Sequence, residues 1–315
     1  MPNALTIGTF DGVHLGHQEL IHRCAAHAAQ RQGKAIVLAF DPHPMTLLRP
    51  QSAPPRLLTW ERKEQLLREA GAHEVVRLEP TTDLLSKTGD EFLTWLFSRF
   101  DPSLIVEGPD FHYGKGRDGN IQTLINFAAL HRCSKSSEQT QVEIVPEIEV
   151  VLGDHQYARA SSTLIRWLIT QGRVSDAARV LGRPYELEGT VVQGDRKGRT
   201  INVPTCNLAT QCLLPLDGVY AGRATLPTGQ TFPAAIAVGA RPTVGGLQRR
   251  AEIHLITHAD AGSPAHWSPL PGVPEYNWPL RVQLHSFVRD EVKFPTFNHL
   301  REQITRDIAR VRAFV

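Results

Sequence analysis

The chain changes its grammar once, and that change limits the folds open to it. Up to residue 183, short apolar runs alternate with amphipathic helical patterns. From residue 184, short strands follow one another with Gly and Pro between them. In the first part Ala4–Ile7 reads as a strand. Leu20, Ile21, Cys24, Ala25 and Ala28 then recur at helical spacing between His17 and Gln32, and Gly33 ends that helix. Ala35–Phe40 is a continuous apolar run, as in a strand buried on both faces. Glu74–Leu78 and Leu104–Val106 repeat the strand theme, with a helix marked by Phe92, Leu93, Leu96, Phe97 and Phe100 between them. This alternation predicts an α/β unit, a parallel sheet with helices on both faces. Ligands bind such sheets beyond the carboxyl ends of the strands.

Two short helices lead to Gly182-Arg183-Pro184, which divides the 315 residues into domains 1–183 and 184–315, each within the usual range of about 100–200 residues. In the second, Leu187–Val192, Gly218–Ala224, Pro233–Val238, Ala251–Thr257 and Leu280–Phe287 read as strands of a small antiparallel β-barrel. Leu300, Ile304, Ile308, Val311 and Val315 share one face of a closing helix, and Ala259–Pro279, rich in Pro and Gly, reads as a long surface loop.

The densest chemistry lies in Ile7-Gly8-Thr9-Phe10-Asp11-Gly12-Val13-His14-Leu15-Gly16-His17, where a strand must end and a helix begin. Glycines let backbone approach a bulky anion, the helix start adds free N–H groups and positive dipole, and His14 and His17 add paired donors. The pattern is suited to gripping nucleotide phosphates. Phe40-Asp41-Pro42-His43-Pro44 follows the next strand; Asp41 or His43 either contacts a nucleotide or metal, or belongs to a rigid Pro-bracketed turn. Gly108–Arg117, including Asp110, Lys115 and Arg117, is either a loop closing over a phosphorylated ligand or a solvated basic loop. Arg159 and Arg166 bracket Ser161, Ser162 and Thr163 at a helix start, a second anion cradle with the fixed donor fork that arginine supplies. The P-loop G-x-x-x-x-G-K-[ST] is absent. The set fits nucleotidyl transfer by positioning and charge neutralisation, with no dedicated base because a phosphate monoester is already an anionic nucleophile.

In the second part, Gly194 and Gly198 precede Pro204-Thr205-Cys206-Asn207. Thr205 and Asn207 alternate on an extended segment, so both oxygens can face one Mg²⁺; the plain alternative is turn hydrogen bonding. Glu252, in Ala251-Glu252-Ile253-His254-Leu255, either faces the barrel interior, where a carboxylate is costly unless paired or functional, or faces water with His254. In the first case it can take the proton of a substrate hydroxyl.

Composition narrows the partners. A formal net charge of +2 against many acids and bases makes a mixed surface and gives little support to a nucleic-acid partner, which usually calls for a concentrated basic stripe. No run approaches the roughly 20 apolar residues of a membrane span, and no signal peptide is legible. Cys24, Cys133, Cys206 and Cys212 form no C-x-x-C pair; free thiols in a reducing cytoplasm are the expectation. The oligomeric expectation is a monomer or weak homo-oligomer.

Taken in order, Gly8–His17, Phe40–Pro44, Asp110–Arg117 and Ser161–Arg166, then Gly194–Asn207, Gly239-Ala240-Arg241-Pro242-Thr243, Glu252 and Val288–Phe294, resemble the bacterial bifunctional riboflavin kinase/FAD synthetases along nearly the whole chain. The resemblance implies a Rossmann-like nucleotidyltransferase sheet, of the lineage carrying H-x-G-H, followed by a riboflavin kinase barrel. It implies ATP-dependent phosphorylation of riboflavin to FMN, then AMP transfer from ATP to FMN, giving FAD and pyrophosphate. On that resemblance His14 and His17 bind ATP phosphates, and Gly8, Phe10, Asp11, Gly12, Asp41 and Asp110 line the nucleotide and flavin. Ser161, Ser162, Thr163 and Arg166 complete the cradle. Glu252 is the kinase base, Thr205 and Asn207 hold Mg²⁺ and phosphate, and Gly194 and Gly198 shape the nucleotide loop. Small molecules (ATP, riboflavin, FMN) are the implied partners. Asn202-Val203 stand where the family usually has Gly-Phe, and Tyr276-Asn277 where it has Tyr-Gly. The alternative is an adenylyltransferase whose barrel only binds flavin or regulates.

Overall fold

The structure is a computed structural model and describes residues 2–194, 205–243, 246–256, 273–292 and 294–314. Gly198 and Asn202-Val203 lie outside these residues, as does most of the predicted loop before Pro279. The chain forms two compact units: residues 1–55, 60–150 and 158–161 make the first, and 56–59, 151–157 and 162–315 the second.

The first unit is built on five parallel strands: β1 (Asn3–Gly8), β2 (Ala35–Phe40), β3 (Glu74–Leu78), β4 (Pro102–Glu107) and β5 (Gln141–Ile144), in the order β3-β2-β1-β4-β5. The limits of β2 and β3 are those the apolar runs predict. Strand alternation divides the core. Leu5, Ile7, Ile36, Leu38 and Ile105 pack on one face with Phe92, Leu93, Leu96, Phe97 and Leu124, from helices α3 (Gly89–Phe100) and α4 (Ile121–Leu130). Ala4, Ala35, Leu104 and Val106 pack on the other with Cys24 and Ala28 of α1 (Leu15–Arg31). Helix α2 (Trp60–Glu69) leads into β3. The strand order reverses between β1 and β4, the switch point at which sheets of this kind take ligands.

The second unit opens with α5 (Ser162–Thr170) and α6 (Val174–Leu181). Six antiparallel strands follow: β6 (Tyr185–Val192), β7 (Cys206–Thr210), β8 (Gly218–Thr225), β9 (Thr231–Thr243), β10 (Gly246–Leu255) and β11 (Pro279–Arg289). They close into a barrel in the order β6-β7-β10-β9-β8-β11. Leu187, Leu208, Ile236, Ala251, Ile253, Val282 and Leu284 are among its buried core. Helix α7 (Phe297–Phe314) packs Val311 and Ile308 against Ala221 and Ala235. It is latched where Arg289 Nε donates at 2.9 Å to the carboxylate of Asp307, itself only 3% exposed.

Candidate active sites

The turn between Gly8 and His17 sits at the switch point. Beyond the last rung of β1 the backbone turns through three residues of positive φ, Phe10 (46°), Gly12 (84°) and Val13 (42°). Only Gly12 adopts that region without steric cost; Phe10 and Val13 store strain of the kind concentrated at ligand clamps. Both are about 1% exposed, so apolar burial holds them in place. The helix begins two residues earlier than the apolar spacing places it. His14 is the N-cap, its Nδ1 accepting the His17 N–H at 3.4 Å. The two imidazoles stack with centroids 3.6 Å apart, and Phe10 meets His17 edge-on at 5.1 Å. Asp11 and His14 are each 7% exposed. The structure therefore gathers the predicted histidine pair, Phe10, Asp11 and Gly12 around one helix N-terminus.

Two buried charged residues that sequence reasoning missed flank β1. Glu107 closes β4 and is 2% exposed. Its Oε1 accepts the Ile7 N–H at 2.7 Å and the Thr6 hydroxyl at 3.4 Å. Burial pushes its carboxyl well above the usual range. Burial, then Glu107 and Glu143, also push the neighbouring Cys24 thiol well up. On the other side, Lys63 of α2 donates to the Thr9 and Phe40 carbonyls at 3.1 and 3.2 Å.

Glu107 makes the first unit sensitive to pH. Its folded pKa lies above its unfolded one, so its stabilising share is complete below the unfolded carboxyl range and lost as pH rises through the folded value. Glu107→Gln keeps an acceptor for Ile7 N–H and does not titrate. The variant should therefore gain melting temperature over the parent as pH rises from 5 to 9, by about 2–4 °C for each kcal/mol relieved. Parallel melting profiles across that range would show that Glu107 does not titrate in the folded protein.

Of the remaining predicted residues, Asp41, Asp110 and Ser161 belong to the first unit, and Ser162, Thr163 and Arg166 to the second. Asp41 is 1% exposed and bound by cations, Arg77 at 2.7 Å and Lys63 at 3.5 Å. Asp110 is exposed and pairs with Arg159 at 2.6 Å, and Arg159 reaches Glu147 at the same distance. The Gly108–Arg117 segment has internal structure: a two-rung ladder of His112–Tyr113 with Gly119–Asn120, tied to α3 by Asp118 Oδ2 accepting the Gly89 N–H. An apolar cleft of about 360 Å³, lined by Phe40, Leu84, Leu85, Phe92, Phe111 and Tyr113, also reaches Gly8 and Thr9. Ser161 ends the first unit's share of the chain. Ser162, Thr163 and Arg166 stand at the start of α5, whose Ile165, Leu168 and Ile169 are buried.

In the barrel, Asn207 of β7 lies directly opposite Glu252 of β10, a rung spacing that brings side chains within about 4.5–5.5 Å. The structure corrects both readings of Glu252 in part, since His254 is only 5% exposed and does not face water. Ala251 and Ile253 are fully buried and fill the barrel interior, so alternation puts Glu252 on the outer face, half-buried beside Asn207. The Gly194 backbone presses on the Asn207 amide so closely that any Cβ there would collide with it. Thr205 immediately precedes β7. Burial pushes the intervening Cys206 thiol up to about 11, and alternation turns Cys206 to the strand face opposite that of Asn207. Among the described residues no cluster of His, Cys, Asp and Glu has the makings of a metal site. None of the four cysteines forms a disulfide, and among the described residues no helix is long and apolar enough to cross a membrane.

A parallel sheet with a histidine turn at its switch point, followed by a closed barrel with a polar rung on its outer face, makes a two-module protein, and both modules match transferase families. The FAD synthetase family model matches residues 1–150 and the riboflavin kinase model residues 181–315. The bifunctional riboflavin kinase/FMN adenylyltransferase of Haemophilus influenzae is 31% identical over 313 residues, spanning 99% of this chain and 94% of that one. The chain belongs to the bifunctional riboflavin kinase/FMN adenylyltransferase family and is an enzyme of both activities, making FMN from riboflavin and FAD from FMN. The Escherichia coli relative of the same description is 30% identical over 98% of this chain and 92% of its own length. A crystal structure of a Streptococcus pneumoniae protein described as a macrolide-efflux protein overlays with a TM-score of 0.82 at 27% identity, covering 100% of this chain and 95% of that one. The riboflavin kinase match over 181–315 disfavours a barrel that only binds or regulates.

Proposed function

We propose that the two reactions run at two separate sites, adenylyl transfer at the Gly8–His17 turn and phosphoryl transfer at the Asn207–Glu252 rung. The observation that carries this reading is the stacked His14–His17 pair at a helix N-terminus on the sheet's switch point. The imidazoles and the backbone N–H groups of the turn bind the phosphates of ATP and stabilise charge that develops on the α-phosphate and pyrophosphate. At the start of α5, Ser161, Ser162, Thr163 and Arg166 are a further set of phosphate donors. The aromatic cleft beside Gly8 accepts a planar flavin ring, with Asp110 at its rim.

In the kinase, Glu252 accepts the proton of the terminal ribityl hydroxyl as that oxygen attacks the γ-phosphorus of ATP. Its outer-face position leaves the carboxylate within reach of substrate. The donors beside it, the Thr205 hydroxyl and the Asn207 amide oxygen, are oxygens of the kind Mg²⁺ takes. Bound there, Mg²⁺ would neutralise phosphate charge. The functional boundary lies at residues 183/184. The reading extends to ATP as co-substrate, a cytoplasmic setting, a monomer or weak homo-oligomer, and no nucleic-acid or membrane partner.

Chromatographic separation of flavins tests the reading. Purified protein given riboflavin, ATP and Mg²⁺ should yield FMN and then FAD. Chelating the metal should stop product formation and restoring it should resume it. Conversion of supplied FMN with riboflavin left untouched would remove the kinase half of the proposal.

A further inference from the structure

We infer that Lys63 is a positioning residue for adenylyl transfer, its buried ammonium fixing the carbonyl ends of β1 and β2 so that the Gly8–His17 turn holds its phosphate-gripping shape. The inference rests on that turn being the ATP site. Helix α2, Trp-Glu-Arg-Lys-Glu-Gln-Leu-Leu-Arg-Glu, is mostly charged, yet Lys63 is only 4% exposed. Lysines are almost never buried unless paired. Here the ammonium donates to Thr9 O at 3.1 Å and Phe40 O at 3.2 Å and pairs with Asp41 Oδ1 at 3.5 Å.

The location of these acceptors gives the contact its meaning. The β1–β2 ladder ends at the rung Gly8↔Ala39. Thr9 and Phe40 are the next residues beyond that rung, so their carbonyls are the first past the β1–β2 ladder, and one ammonium binds both while Phe40 still pairs with Leu78 of β3. Phe10, with φ of 46°, follows Thr9 directly, so Lys63 holds the chain where the strained turn begins. Asp41 balances the buried charge. It is steadied by Arg77 at 2.7 Å, whose guanidinium lies 5.0 Å from the Trp60 ring centroid. Lys63 acts through the backbone on which His14 and His17 depend.

The test uses the full chain, in which riboflavin phosphorylation by the barrel reports on folding while FMN-to-FAD conversion reports on the turn. Lys63→Met should lower kcat for adenylyl transfer by about 10²-fold, the loss expected when a reacting group is misplaced by about 1 Å. KM for FMN and the kinase rate should stay near parental values. Lys63→Arg, which keeps the charge but replaces a point donor by a planar fork, should recover only part of the loss. His17→Ala is assayed beside them. A folded Lys63→Met protein losing less than about tenfold in kcat, or losing activity only through KM, overturns the inference if His17→Ala has lost FAD formation. If both variants keep FAD formation, the ATP-site reading itself fails. Should Lys63→Met fail to fold, Lys63→Ala with added propylamine decides. Recovery of kcat without a change in melting temperature supports positioning; no recovery, or recovery that follows a rise in melting temperature, overturns it.

Discussion

Replacing His17 by alanine is expected to lower FAD formation from FMN by about 10²–10³-fold, the usual cost of deleting one preorganised donor to developing charge, while riboflavin phosphorylation continues. The substitution removes the ring that stacks on His14 and meets Phe10. It leaves the backbone N–H that His14 Nδ1 accepts, so the cap of α1 survives. The loss therefore falls on chemistry rather than on the helix start. Steady FMN accumulation from riboflavin, with FAD absent, is the chromatographic signature. Loss of both products in a folded protein would end the assignment of two independent sites.

The mirror experiment is Glu252→Gln. Riboflavin phosphorylation should fall by about 10²–10⁴-fold, the range for removing a general base, and FMN supplied directly should still become FAD. Glutamine keeps the size and polarity of the side chain opposite Asn207, so strand pairing is not disturbed. Ala251 and Ile253 continue to fill the core on either side. A variant that phosphorylates riboflavin at the parental rate would move the base elsewhere in the barrel.

The elements most legible in the sequence were those whose burial leaves a simple mark. The run Ala35–Phe40 is apolar throughout because β2 is covered on both faces, and the structure returns its limits unchanged. Strand β5, Gln-Val-Glu-Ile, pairs only with β4 and is largely exposed, so it has no such run to betray it. Strand β7 was hidden for another reason: Pro204 and the glycines before it announce a turn, and the pairing of Cys206–Thr210 with β6 and β10 is long-range. The glycine–histidine turn stood out because several unusual residue types share a few positions. Lys63 gave no local signal, since a lysine in a charged helix reads as solvated until the fold brings Thr9 and Phe40 to it. Glu107 likewise reads as the polar end of an apolar strand, although all six residues of β4 are buried.

Because Asn207 and Glu252 face each other on a rung of a closed ring, parity governs how this half of the chain can drift. Adding or deleting one residue inside Cys206–Thr210 would swing Asn207 inward and Leu208 outward, since neighbours on a strand point to opposite faces. A change of two residues would restore the facing. Length can vary freely only in the connections, so divergence in the kinase half is channelled into its loops.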